Sequence, residues 1–168
     1  MRYPFNMFAS DAGVAVYGKD VPHPRTYGTN ARVLGHYVRS LRVISLEEAI
    51  RRMTSLPAQK FQLRDRGLLR EGMAADVVVF NEDTVSDKST FSAPHAYSTG
   101  FEYVIVNGAI TLARGRHTGT RNGKALRDAE LHKVANFCSD LTPLLPVIHS
   151  HPAPYPVVEF DAFLVSLC

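Results

Sequence analysis

The sequence predicts an α/β protein in which a short strand and helices come first and a small set of strands follows. Apolar residues recur at helical spacing in the first part of the chain, namely at Val33, Leu34, Tyr37, Val38 and Leu41. Further on, the β-branched run Val77–Phe80 and an Asn107-Gly108 pair between two apolar runs indicate a strand and a hairpin. With 168 residues, 45% of them hydrophobic, the chain is long enough to bury a core.

Charge argues against binding to nucleic acid, and hydropathy argues against a membrane span. The net charge is only +3, and the 19 Lys and Arg residues are scattered among 16 acidic ones, which does not favour binding to nucleic acid. No apolar run reaches the length of about 20 residues that a membrane span needs, and the N-terminus lacks a signal-peptide core. With Cys138 and Cys168 as its two cysteines, we expect a cytoplasmic protein with free thiols.

A carboxylate follows the first apolar run. Residues 5–9 predict a short strand, which ends at Ser10-Asp11-Ala12-Gly13. Parallel α/β barrels place catalytic carboxylates directly after such strands, but Ser and Asp are also common turn residues. From position alone, a turn residue is the better interpretation of Asp11.

A stiff loop presents an arginine shortly afterwards. Residues 21–28 read V-P-H-P-R-T-Y-G, and the two prolines that bracket His23 restrict the backbone. A guanidinium on a rigid loop suits the capture of a carboxylate, which arginine grips through two parallel hydrogen bonds. Without further context, a surface arginine is the better interpretation of Arg25.

Capping signals predict three helices. Thr29 or Asn30 would cap the first, which runs to about Ser40. Ser45-Leu46-Glu47-Glu48 is a capping box, in which Glu48 would reach back to free backbone donors of the second helix.

In the second helix, Arg51 and Arg52 are expected to face water, opposite an apolar stripe. Ser55 would cap a short third helix that runs through Phe61, with Pro57 in its first turn.

The stretch that joins helices to strands resembles a known pattern. Residues 67–80 read G-L-L-R-E-G-M-A-A-D-V-V-V-F, in which Gly67 and Gly72 permit unusual backbone angles and Val77–Phe80 predicts a strand buried on both faces. The stretch resembles the G-x-(L/I)-x-x-G-x-x-A-D-(L/V)-V-V-(F/L) run of the metal-dependent amidohydrolase superfamily. In that superfamily the run leads from the catalytic barrel into a small β-domain.

A second motif narrows the resemblance. Ser10-Asp11, followed by H-P-R-T-Y-G-T-N-A-R-V-L-G at residues 23–35, resembles the D-aminoacylase branch, the N-acyl-D-amino-acid deacylases. The resemblance implies that Asp11 is the catalytic base and a weak candidate zinc ligand, and that Arg25 binds the carboxylate of the substrate. Ala12 departs from the family's Ser-Asp-Gly, and His23 belongs to the motif without an assigned role.

The resemblance covers about residues 3–127 and implies the domain organisation. Residues 1–66 would be the C-terminal portion of an amidohydrolase TIM-like barrel, its last strand and helices. Residues 67–127 would be strands of the small composite β-domain, and residues 128–168 a divergent, proline-rich tail for which disorder is one expectation.

The implied activity is the zinc-dependent hydrolysis of the amide C–N bond of an N-acyl-D-amino acid, which releases a D-amino acid and a carboxylate. A barrel of this type needs about 250 residues, and the family's other zinc ligands, such as an N-terminal His-x-His, have no counterpart in the matching region. We therefore expect a C-terminal fragment that is inactive by itself.

Alternatives to this interpretation stay open. The chain would be non-catalytic if it were a small β-rich binding module, or a split subunit whose partner is the missing N-terminal barrel portion as a separate chain. Another amidohydrolase branch, of the dihydroorotase or hydantoinase type, is disfavoured by His23-Pro24-Arg25. His95 is interpreted as a loop histidine, and His149-Ser150-His151 as a coincidental match to the His-x-His pair.

Overall fold

The computed structural model of the protein describes residues 1–126. The helical elements are α1 (Arg25–Arg32), a π-helical continuation (Val33–Ser40), α2 (Leu46–Met53) and α3 (Ser55–Lys60). The strands are β1 (Val77–Phe80), β2 (Phe101–Val106), β3 (Ala109–Ala113) and β4 (Arg116–His117), and they form one antiparallel sheet in that order.

Helices followed by a sheet agree with the predicted α/β class. The predictions for the tail, for Cys138 and Cys168 and for His149-Ser150-His151 lie outside the described residues. Within residues 1–126, no helix is both long and apolar enough to cross a membrane.

The first segment contradicts one prediction, because residues 1–24 contain no strand and residues 5–9 are irregular. Phe8 packs against the helical core, and its N–H donates to the carbonyl of Arg52 at 3.4 Å, but Phe5 is 72% exposed. An apolar run becomes a strand only where a neighbouring strand completes its backbone hydrogen bonds. Nothing in the described part of the chain pairs with this run as a strand.

Helix α1 begins earlier than predicted, at Arg25 rather than after Thr29 or Asn30. Pro24 occupies its N-cap position, where the missing N–H of proline is not needed. The hydroxyl of Thr29 donates to the carbonyl of Arg25 at 2.9 Å, so this residue lies inside the helix and not at its cap.

The helix continues with π-helical hydrogen bonding from Val33 to Ser40, and the N–H of Leu41 donates to the carbonyl of His36 at 2.8 Å. Gly35 lies on the face of this segment that meets the loop after β1. A Cβ there would be 2.6 Å from the carbonyl oxygen of Val85, which is too close for any other residue. The close approach buries Val85 in the helical core.

Helix α2 begins as predicted, with the Ser45 hydroxyl accepting from the N–H of Glu48 at 3.3 Å. The carboxylate of Glu48, however, does not return to the backbone. It accepts from the guanidinium groups of Arg51 and Arg52, at 2.7 Å in each case.

Arg52 was expected to face water, and this is wrong, because only 2% of its surface is exposed. The charge of Arg52 is balanced by Glu48, and a second donor binds the backbone carbonyl of Met1. A buried arginine is tolerated where its charge and its donors are satisfied in this way.

Helix α3 forms where it was predicted, but its N-cap position is Thr54 and not Ser55. The hydroxyl of Thr54 does not cap α3. It donates to the carbonyl of Ile50 in the preceding helix, at 2.8 Å.

The sheet is built from hairpins, and the sequence predicts the turn of the β2–β3 hairpin. Asn107 and Gly108 have φ angles of 46° and 80°, and two positive values are what a type I′ turn requires. A second turn at Arg114-Gly115 leads into the short strand β4.

Strand β1 was expected to be buried on both faces, but it is buried on only one. Val78 is 3% exposed, whereas the adjacent Val79 is 44% exposed. The helical layer covers only the face that carries Val78, against which Ile50 packs.

The core is continuous between helices and sheet. Ile50, Phe80 and Phe101 pack against both the helical cluster and the sheet cluster, with the two phenylalanine rings 6.3 Å apart. The buried helical cluster consists of Ala31, Val33, Leu34, Val38, Ala49, Met53 and Val85.

A buried ion pair fixes the connection between the two layers. Arg66 and Asp76, each 8% exposed, lie at the two ends of the linking loop and pair through Nη1 and Oδ2. The other carboxylate oxygen of Asp76 accepts from the N–H of Asn107 at 2.7 Å. The Nη2 group of Arg66 donates to the side-chain oxygen of Asn107, also at 2.7 Å, so the pair holds the β2–β3 turn.

Neutralising Asp76 should therefore destabilise the fold strongly. We expect Asp76→Asn to lower the free energy of unfolding by about 3 kcal/mol, because it removes the buried counter-charge of the Arg66 guanidinium. The measurement is urea denaturation followed by circular dichroism. The matched control is Asp65→Asn, since Asp65 is 3.8 Å from the same guanidinium but 64% exposed, and its loss should cost no more than about 0.5 kcal/mol. Equal effects of the two changes would contradict the prediction.

The Glu48 cluster predicts a pH dependence of stability. Hydrogen bonds from Arg51 and Arg52 lower the pKa of Glu48 from 4.5 to about 2. The stabilisation from ionised Glu48 is therefore complete above pH 4.5 and is lost as the pH falls towards 2. Glu48→Gln should be less stable than the parent at neutral pH, and the difference should narrow over that acidic range.

The measurement is urea denaturation of both proteins at several pH values, with Glu71→Gln, a change at an exposed loop residue, as the control. If the difference in unfolding free energy between the parent and Glu48→Gln stays constant with pH, the lowered pKa of Glu48 is refuted.

Candidate active site

The structure brings together the two residues that the sequence singles out. Arg25 Nη2 lies 3.1 Å from Asp11 Oδ2, and the two side chains form an ion pair. The side chain of Asp11 is 84% exposed and that of Arg25 is 46% exposed. An ion pair as open as this contributes only about 0.2–1 kcal/mol, so another carboxylate can compete for the guanidinium.

The backbone at Asp11 is unusual. Its φ is 45°, in the left-handed region that residues other than glycine seldom adopt, although aspartate tolerates it better than most. In the turn after residue 10, the positive φ angle therefore belongs to Asp11 and not to Gly13. Such backbone geometry recurs at functional sites, where the surroundings hold it.

His23 positions the arginine. Its ring nitrogen Nδ1 accepts from the backbone N–H of Arg25 at 3.1 Å, which satisfies one of the free donors at the start of α1. The ring packs edge-on against Phe91, with centroids 5.0 Å apart. The motif histidine thus orients the first residue of the helix.

Asp11 and Arg25 line an open cleft with a volume of about 530 Å³. The chain from residue 11 to residue 26 curves around this cleft, and Lys19 and Asp20 add a second pair of opposite charges to its lining. Exposed apolar side chains such as Val14 and Val21 contribute to the same surface. The cleft therefore presents both charged and apolar groups to solvent.

Sequence reasoning missed the histidine that secures one side of this cleft. The Nε2 atom of His95 is 3.0 Å from the carbonyl oxygen of Asp20, and its Nδ1 atom is 3.2 Å from the N–H nitrogen of Gly18. The hydroxyl of Tyr27 is also 3.2 Å from Nδ1. These partners are 68 to 77 residues away in the chain, so no local pattern predicts them.

The hydroxyl of Tyr27 keeps its proton in this arrangement. Desolvation, and to a lesser extent the phenols of Tyr97 and Tyr17, raises the pKa of Tyr27 above its ordinary value. The protonated hydroxyl can then donate to His95.

Asp11 is the one zinc ligand that the family resemblance suggests among the described residues. Within residues 1–126, no group of three or more His, Cys, Asp or Glu side chains is arranged to hold a metal ion. Zinc sites use three or four protein ligands, and Asp11 alone does not meet that requirement. The described residues therefore do not fit a zinc site by themselves.

Residues 4–112 match the Amidohydrolase family, and the chain belongs to that family. It is 46% identical over 117 residues to the N-acyl-D-glutamate deacylase of Alcaligenes xylosoxydans xylosoxydans, a match that covers 69% of this chain and 24% of the relative. It is also 46% identical over 105 residues to the D-aminoacylase of the same organism, covering 62% of this chain and 22% of that protein. The resemblance to the D-aminoacylase branch is thereby confirmed.

Solved structures give the same result. The N-acyl-D-glutamate deacylase from Bordetella bronchiseptica, complexed with zinc and a phosphonate inhibitor, superposes with a TM-score of 0.67 at 44% identity. This match covers 75% of the present chain and 26% of that structure. A crystal structure of D-aminoacylase gives a TM-score of 0.62 at 45% identity, with 64% and 23% covered. The chain thus spans about a quarter of the length of the relatives it matches.

Proposed function

We propose that this chain supplies the catalytic base and the carboxylate-binding group of a zinc-dependent N-acyl-D-amino-acid amidohydrolase. The reaction is hydrolysis of the amide C–N bond, with release of a D-amino acid and a carboxylate. The observation that carries the proposal is the ion pair of Asp11 with Arg25, 3.1 Å apart in an open cleft. Identities of about 45% to deacylases of N-acyl-D-amino acids support it.

Arg25 is the group that binds the substrate's α-carboxylate. Its backbone is held at the first turn of α1, where its N–H donates to His23. A planar guanidinium matches a carboxylate through two parallel hydrogen bonds, which orients the amide bond relative to the rest of the cleft.

Asp11 is the general base. Its carboxylate takes a proton from the attacking water as the water oxygen bonds to the amide carbon, and it returns the proton to the nitrogen as the C–N bond breaks. Asp11 is then ionised again, and the D-amino acid leaves as a free amine.

Substrate binding and the freeing of the base are coupled in this arrangement. Before substrate arrives, Arg25 is paired with Asp11. The incoming α-carboxylate exchanges with Asp11 for the guanidinium, and this exchange is easy because the exposed pair is weak. The Asp11 oxygen that Arg25 held is then available to water.

The rest of the enzyme lies outside what this chain matches. Zinc, with which the Bordetella bronchiseptica relative is complexed, would need ligands beyond Asp11. In this proposal residues 1–66 form the last part of a TIM-like barrel, and residues 67–127 belong to the small β-domain. The chain alone is expected to be inactive, and a separate N-terminal barrel portion would complete it.

The test is complementation. The 168-residue chain is mixed with zinc and the separately expressed N-terminal portion of the Alcaligenes N-acyl-D-glutamate deacylase, and D-glutamate release from N-acetyl-D-glutamate is measured. Size-exclusion chromatography checks that the two chains associate. We expect activity in the mixture and none from either chain alone.

Two variants assign the roles in the active mixture. Asp11→Asn should lower kcat by about a hundredfold or more, since general-base catalysis contributes on that scale. Arg25→Gln should raise KM much more than it lowers kcat, and Arg25→Lys should lie between Arg25→Gln and the parent, because lysine keeps the charge without the planar fork.

The matched controls are Asp83→Asn and Arg42→Gln, which alter exposed residues away from the cleft and should leave both constants unchanged. Full activity of Asp11→Asn would refute its role as base. An associated but inactive mixture would favour a non-catalytic binding module.

A further inference from the structure

We infer that His95 is a positioning residue for the cleft. Its neutral imidazole fastens the turn at residues 17–20 to helix α1. This anchoring is a property of the fold. Its effect on turnover rests on the proposed function.

The hydrogen bonds of His95 define one tautomer. A carbonyl oxygen can only accept, so the Nε2 atom, 3.0 Å from the carbonyl oxygen of Asp20, must carry the hydrogen. The Nδ1 atom is then the acceptor, and it faces two donors at 3.2 Å, the N–H of Gly18 and the hydroxyl of Tyr27. The neutral ring with its proton on Nε2 fits all three contacts, with the single lone pair of Nδ1 shared between the two donors.

The turn that His95 binds is held mainly through its backbone. Gly18 and Asp20 both have left-handed φ angles, 79° and 59°, and the N–H of Lys19 closes the turn on the carbonyl of Val16 at 3.0 Å. A left-handed aspartate is unfavourable in isolation and persists where other contacts hold it. The N–H of residue 18 and the carbonyl of residue 20 are the atoms that the imidazole engages.

Aromatic rings fix the orientation of the imidazole. The ring of Tyr17 stacks on Tyr97, with centroids 5.1 Å apart, and meets the ring of His95 edge-on at 5.6 Å. Tyr27 also packs edge-on against His95, at 5.8 Å. Edge-to-face contacts of this kind favour a defined ring orientation.

The anchor connects the two sides of the cleft. Lys19 and Asp20, in the anchored turn, line the cleft together with Asp11 and Arg25. Tyr27, the other partner of His95, lies on α1 two residues after Arg25. Release of His95 would let the charged turn move relative to the arginine that holds the substrate's carboxylate.

The first measurement is NMR on the ¹⁵N-labelled 168-residue chain. Imidazole ¹⁵N shifts should report the hydrogen on Nε2 of His95 and an Nδ1 atom that accepts a hydrogen bond. A hydrogen on Nδ1 would overturn the inference without any variant.

The second measurement is amide hydrogen exchange. His95→Phe keeps a ring but removes all three polar contacts, and exchange at Gly18 should accelerate about tenfold. His95→Asn, whose side-chain oxygen can replace Nδ1, should restore part of the protection. His117→Phe is the matched control, because Nδ1 of His117 accepts from the N–H of Gly119 at 2.9 Å, so only the amide of Gly119 should respond. Unchanged exchange at Gly18 in His95→Phe would refute the anchor.

The complemented enzyme separates this inference from the proposed function. There, His95→Phe should raise KM about tenfold while kcat stays within about twofold, and His95→Asn should recover part of the loss. An active parent mixture in which His95→Phe leaves KM unchanged would overturn the positioning role alone. A parent mixture without activity, together with the expected NMR result, would overturn the proposed function and leave the anchor intact.

Discussion

The buried pair of Arg66 with Asp76 is the constraint on which the arrangement of helices and sheet depends. Separating its charges within the core would cost several times the ~1 kcal/mol of an ordinary hydrogen bond. The loop between the two residues must therefore return to its starting point before β1 begins. Because Asn107 binds both members of the pair, the turn of the β2–β3 hairpin is held at the same place.

The sheet also packs against the helices, and the loop between β1 and β2 contacts the cleft. Phe80 at the end of β1 and Phe101 at the start of β2 pack against the helical core. The loop between these strands is closed at its ends, where the N–H of Asn81 donates to the carbonyl of Gly100 at 2.9 Å. This closed loop presents His95 to residues 17–20, so His95 helps to connect the geometry of the cleft to the sheet.

The candidate site itself is only loosely constrained. Asp11 and Arg25 are exposed, and the segment that carries Asp11 has no regular secondary structure. Few buried contacts hold it, which is typical of regions that open at low free energy. In the proposed function the ion pair yields to a substrate carboxylate, and weak, exchangeable contacts would suit that exchange.

The sequence by itself determined the features whose cause lies within a few residues. The Ser45 cap, the strand Val77–Phe80 and the Asn107-Gly108 turn formed as predicted, because side-chain capping and backbone angles are local properties. A motif also sufficed to single out Asp11 and Arg25, although only the fold shows them in contact.

Tertiary structure alone decided what depends on distant partners. Arg52 is buried because the chain near Met1 supplies an acceptor, and residues 5–9 form no strand because the described chain gives them no neighbouring strand. The role of His95 depends on atoms up to 77 residues away. Burial and hydrogen bonding are properties of pairs of groups, so a local pattern can state what a residue prefers but not which partner the fold provides.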